Sequence, residues 1–150
     1  MNALAARVLA QTSCLQALLA TLDREDQAMA QCCFAELPSI AEQKGGLLER
    51  MAQLDRDREA AQVALGYQPG RAGADAAAAS DETLRQAWAC MLALARRARD
   101  LNRQVGVRVF THLEFTQKAI GFLKAGDRPV YGPDGMRKTP SGGSSHLALG

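Results

Sequence analysis

Two histidines and four cysteines are the residues of this chain best equipped for chemistry, and their spacing decides what is open to them. A zinc site needs three or four ligands converging on one point, usually visible as C-x-x-C or H-x-x-x-H steps. Cys14, Cys32, Cys33 and Cys90 make no C-x-x-C, and neither His112 nor His146 lies near a cysteine in sequence. Adjacent Cys32 and Cys33 are poorly placed to bridge each other. The thiols read as small buried side chains in a reducing cytosol. Nucleophilic catalysis needs a base beside the nucleophile, and His112 is the one helical candidate. Phosphotransfer through a histidine wants a lysine about one turn on, to meet the phosphate. His112 is followed by Leu113, Glu114 and Phe115, which would repel or crowd it. Neither G-x-x-x-x-G-K-[ST] nor G-x-G-x-x-G occurs. No catalytic, cofactor or metal residue is expected, and the chain reads as a non-enzyme.

Binding is the remaining class of function, so the elements that would present a surface matter. With 150 residues, one domain with a modest core is expected. Apolar residues make up 47% but aromatics only 5%, with alanine abundant, which suits closely packed helices rather than a sheet. The net charge of +2 gives no general attraction to nucleic acid or to an anionic membrane. The N-terminus carries no secretory signal pattern, and no long uninterrupted apolar run suggests membrane insertion.

Leu4, Val8, Leu15, Leu18, Leu22, Met29 and Cys32 fall on alternating three- and four-residue steps, the seam of a helix packed as in a coiled coil. The register then slips by one, and Leu37, Ile40, Leu47, Met51, Leu54, Ala61 and Leu65 form a second seam, with Lys44 and Arg58 at two of its positions. Pro38 locates the turn. Inside a helix it costs about 3 kcal/mol, whereas in the first turn it costs little. A turn at Cys32–Glu36 is therefore expected, in preference to one at Gly45-Gly46. Residues 55–59 read as a solvated charge run.

Gly66 reads as a helix cap, residues 66–80 as a loop whose alanines could open the next helix, and Ser80 as that helix's N-cap. Leu84, Trp88, Met91, Ala95, Ala98, Asn102, Val105 and Val109 give the third seam. Asn102 either fixes register or sits at the wet edge. The expected fold is all-α: an antiparallel, coiled-coil-like bundle of three long helices, about residues 2–31, 37–65 and 81–124. The last is either continuous or broken near Gly106 into a short fourth helix. Residues 1–126 form the bundle and 127–150 a flexible tail. The third helix spans roughly 65 Å against roughly 45 Å for the others. Its end, rich in Phe110, Leu113, Phe115, Ile120 and Phe122, has few partners, as interaction surfaces do.

The order of motifs resembles a known family. E-x-x-A-M at Glu25–Met29 precedes L-x-x-I-x-x-x-K-x-x-L-L at Leu37–Leu48. L-N-x-x-V-G follows at Leu101–Gly106, then V-Y-G-P-D-G at Val130–Gly135. Together they resemble the FlgN family of flagellar type III export chaperones over nearly the whole chain, although Pro38 and the Gly45-Gly46 pair depart from its pattern. The resemblance implies a cytoplasmic, cofactor-free chaperone. Its partners would be the C-terminal helical regions of hook-associated proteins, together with the flagellar export gate and its ATPase apparatus. On that footing Phe110, Leu113, Phe115, Ile120 and Leu123 are expected to receive a client helix. Tyr131 would anchor the tail over it, and Leu147 and Leu149 would make a second contact. Monomer and homodimer both stay open, as does the alternative of a general coiled-coil adaptor.

Overall fold

Asn2 starts the first helix in the way a short polar side chain can, its Oδ1 accepting a 2.7 Å hydrogen bond from the amide of Ala5. The computed structural model describes residues 2–126, and among these it contains α1 (Ala3–Ala30), α2 (Leu37–Ala64), α3 (Arg71–Ala79) and α4 (Glu82–Gly126). Contacts divide the chain into two units, residues 1–111 and 112–150.

In the first unit α1 and α2 form an antiparallel hairpin. Lys44 pairs with Glu25 at 3.1 Å and Arg24 donates to Gln43 at 2.6 Å near the turn, while Gln11 donates to Asp55 at 3.2 Å near the open end. The turn falls where Pro38 requires it. Cys32 takes a positive φ of 56°, a 3₁₀ turn spans Phe34–Glu36, and Pro38 lies in the first turn of α2. Gly45 and Gly46 stay helical, at a cost of about 1 kcal/mol each. α4 runs parallel to α1: Asn2 donates to Asp81 at 2.9 Å at one end, and Arg108 meets Asp26 at 2.6 Å at the other. The three long helices thus alternate up, down and up around a core of Leu4, Val8, Leu15, Leu18, Leu22, Leu84, Trp88 and Met91. By length and composition α1 could cross a bilayer, but here its apolar face is the centre of the bundle.

The segment expected as a loop at 66–80 is in part a helix. α2 ends in a Schellman motif: the amide of Gly66, at φ 87°, donates to Val63 and that of Tyr67 to Gln62, both at 3.0 Å. Gly70, at φ 86°, turns the chain, and the alanine-rich stretch that follows has the strongest of helix propensities. α3 buries Ala74, Ala77 and Ala78 in the core, a gain invisible to a reading that weighs Gly and Pro as breakers. Ser80 closes α3 rather than opening α4, its hydroxyl donating to the Ala77 carbonyl at 2.8 Å. Asp81 caps α4 instead, accepting from the Leu84 amide at 3.2 Å. α4 passes through Gly106 without a break, because one glycine's cost of about 1 kcal/mol does not outweigh a continuous hydrogen-bond ladder beside buried Val105.

Among the described residues, buried Gln62 and Arg58 do what apolar seams cannot. Gln62, wholly buried, donates through Nε2 to the carbonyls of Gln68 at 3.0 Å and Gly70 at 3.1 Å, and accepts from Arg58 through Oε1. It holds the chain between α2 and α3 in place. Arg58, expected in a solvated charge run, is buried: one nitrogen meets Asp55 at 2.6 Å and its plane covers the Trp88 ring. The reason is Trp88 of α4, whose ring lies against it at this seam position. The expectation of buried thiols holds for Cys14 alone; Cys32, Cys33 and Cys90 are exposed, the first two at the hairpin turn and the last on the outer face of α4.

In the second unit, residues 112–126 continue as helix, with Thr116 donating to the His112 carbonyl at 2.9 Å and Lys118 facing Glu114 at 3.7 Å.

Candidate functional site

Partner-binding surfaces are apolar side chains that folding leaves uncovered, so the exposed large residues decide where a site can be. They concentrate on α4: Val107 and Phe110 in the first unit, and Leu113, Phe115, Ile120, Phe122 and Leu123 in the second. Phe122 is 81% exposed, and no side chain from 106 to 125 is buried.

Helical geometry sorts these residues. At about 100° per residue, Leu113, Ile120 and Leu123 fall on one face within about 80° of arc, with half-buried Thr116 between them. Phe115 and Phe122 lie on a second stripe, about 160° from Leu113 and Ile120. The residues expected to act together therefore do not share one face. Leu113, Ile120 and Leu123 can meet a single partner helix, whereas Phe115 points elsewhere and Phe110 belongs to the other unit. Two exposed large apolar residues of α4, Val107 and Phe122, were not among the expected contacts. Phe122 was legible, since it sits at the heptad distance from Phe115. Tyr131, Leu147 and Leu149 lie outside the described residues.

The charged groups of the second unit's helix are Glu114, Lys118 and Lys124, which give it no strong sign. Among the described residues no group of three His, Cys, Asp or Glu side chains could hold a metal. Burial raises the Cys14 thiol above its ordinary value of 9.0, with nearby Arg50 pulling weakly the other way. Cys14 donates to the Leu47 carbonyl at 3.5 Å and packs at the α1–α2 interface, the behaviour of a structural thiol rather than a reactive one.

The described residues form an all-α fold whose first unit is a bundle of long helices. The chain matches the FlgN protein family model over residues 1–139. It belongs to that family, one of flagellar export chaperones. No curated protein and no solved structure matches it.

Proposed function

We propose that this chain binds the C-terminal helical regions of hook-associated proteins, keeps them from assembling early, and delivers them to the export gate and its ATPase apparatus. Family membership supplies the class of activity. The observation that carries the reading further is the uncovered face of Leu113, Ile120 and Leu123, respectively 53%, 46% and 67% exposed. An amphipathic client helix would lay its apolar stripe there, burying on both sides what neither can bury alone. Release needs no chemistry, since the interface is one of packing and a moderate affinity suffices for hand-over. The tail from residue 127, with Tyr131, Leu147 and Leu149, would close over the bound helix.

The test is calorimetric titration of the full chain with isolated hook-associated proteins. A saturable one-to-one complex, weakened by Ile120→Glu and by deletion of residues 127–150, supports the reading. Absence of binding to every such protein would turn it toward a general helical adaptor. An unchanged dissociation constant on deletion would remove the tail from the site.

A further inference from the structure

Within the first unit, α2 and α4 do not close over α1 along their whole length. Between them lies a groove of about 340 Å³. Leu15, Leu18 and Leu22 of α1 form its floor, Leu48 and Met51 of α2 one wall, and Ala95 of α4 the other. Its lining is mostly apolar, with Lys44, Arg99 and Asn102 at its edges, and Leu48 at its lip is 49% exposed. Three helices around a shared seam leave one vacant position, the place a fourth helix takes in a four-helix bundle.

The charge at the groove's edges tells what kind of helix fits. On α4, Arg99 lines the groove, and Arg96 and Arg103 stand within about 60° of it on the same helix face. All three are exposed, and among the described residues none makes an ion pair or a side-chain hydrogen bond. By contrast Lys44, on the α2 side, is already paired with Glu25. A second hollow, on the α4 surface next to the groove, is lined by Arg71, Arg96 and Arg99. One edge of the groove therefore carries Arg99, with Arg96 and Arg103 beside it against the single carboxylate of Asp100, while its floor is greasy.

We infer that this groove is a second helix-docking surface. Its occupant is a partner protein's amphipathic helix, with an apolar stripe on α1 and an acidic flank along Arg96, Arg99 and Arg103. Its lining residues all belong to the first unit and include none of the Leu113–Leu123 face. The neutral surroundings of that face select by shape, whereas the groove selects by charge as well. Each exposed ion pair contributes little alone. Three in a row beside an apolar groove set orientation and discriminate against a helix of opposite charge.

The probe is a pair of synthetic helices of about 18 residues, long enough for roughly 27 Å of contact. Both carry the same leucine stripe, one with glutamate and the other with lysine on its flank, and each is fluorescently labelled and titrated into the full chain. The glutamate peptide is expected to bind saturably and the lysine peptide about tenfold more weakly. Joint replacement of Arg96, Arg99 and Arg103 by glutamate is expected to reverse that order. Leu48→Glu is expected to erase the difference between the two peptides, while Ile120→Glu leaves that difference unchanged. Circular dichroism spectra like that of the parent chain certify that these surface variants fold. Equal affinity of the parent chain for the two peptides, a difference unaffected by Leu48→Glu, or one lost only with Ile120→Glu each overturns the inference. So does a chain that ignores both peptides and instead self-associates through Leu48, which would make the occupant a second copy.

Discussion

The guanidinium carbon of Arg58 sits 5.2 Å from the centre of the Trp88 ring, joining α2 to α4 across the bundle. The same arginine meets Asp55, which accepts from Gln11 of α1, and donates to Gln62, which holds the chain ahead of α3. Trp88 in turn donates through Nε1 to Asp75 of α3 at 2.7 Å. One polar line therefore touches all four helices and fixes their register, a task that leucine and alanine, which pack in several registers alike, perform poorly.

Arg58→Ala is expected to lower stability by about 1–3 kcal/mol, combining loss of the cation–π contact with unpaired polar groups beneath it. Asp55 is half-exposed, so the ion pair itself contributes the smaller share. Arg58→Lys is expected to recover less than half of the loss, because an ammonium cannot lie flat on the ring while donating to both partners. Urea unfolding followed by the fluorescence of Trp88, the sole tryptophan, measures both.

Glycines in this chain are expected to respond in opposite directions. A Cβ at Gly73 would stand 1.6 Å from the Gln68 carbonyl oxygen, so Gly73→Ala must push the connecting segment away and loosen the Gln62 bonds. A loss of about 1–3 kcal/mol is expected. Gly46→Ala, in the open interior of α2, is expected to raise stability by about 1 kcal/mol. Thermal melts of the two variants beside the parent chain give both signs in one experiment.

Three thiols are expected to react quickly with a disulfide reagent in the native protein, namely Cys32, Cys33 and Cys90, and Cys14 only on unfolding. The buried thiol also sets a pH dependence. Its raised pKa means the folded state holds the proton longer than the unfolded one. The stabilisation is therefore complete below 9.0 and falls as pH rises from there through the folded value. Denaturant midpoints measured at about pH 8 and about pH 10 should draw apart less in Cys14→Ala than in the parent chain.

Leu113→Glu and Ile120→Glu are expected to leave the melting curve nearly unchanged, within about 0.5 kcal/mol, since both side chains are already exposed. The same changes should weaken a hook-associated client about tenfold or more, because a carboxylate would be buried against its apolar stripe. Phe115→Glu, on the other stripe, should weaken it less. Equal losses from all three would mean that the client wraps the helix rather than lying along one face.

Seam positions were readable from the chain alone because apolar side chains at three- and four-residue steps can be buried together only on a helix. Pro38 located the turn by the same kind of local constraint. α3 was half legible: Ala76–Ala79 advertised a helix, but the gain from burying Ala74, Ala77 and Ala78 exists only once α1 and α4 stand beside it. Arg58 was named on its seam yet read as solvated, because nothing local announces that Trp88 lies above it. The exposed end of α4 was anticipated from helix lengths, and the sorting of its residues into two faces follows from their spacing once residues 112–126 are helical.

By itself, then, the amino-acid order determined helix, turn and family, since these follow from periodicity, from what proline and glycine permit, and from motifs in a set sequence. Tertiary structure alone decided which polar residues are buried, and that Gly73 must lack a side chain. It also decided that an apolar groove with an arginine edge lies between α2 and α4. Each of these depends on groups far apart in the chain coming within a few ångströms, and no local pattern encodes that distance.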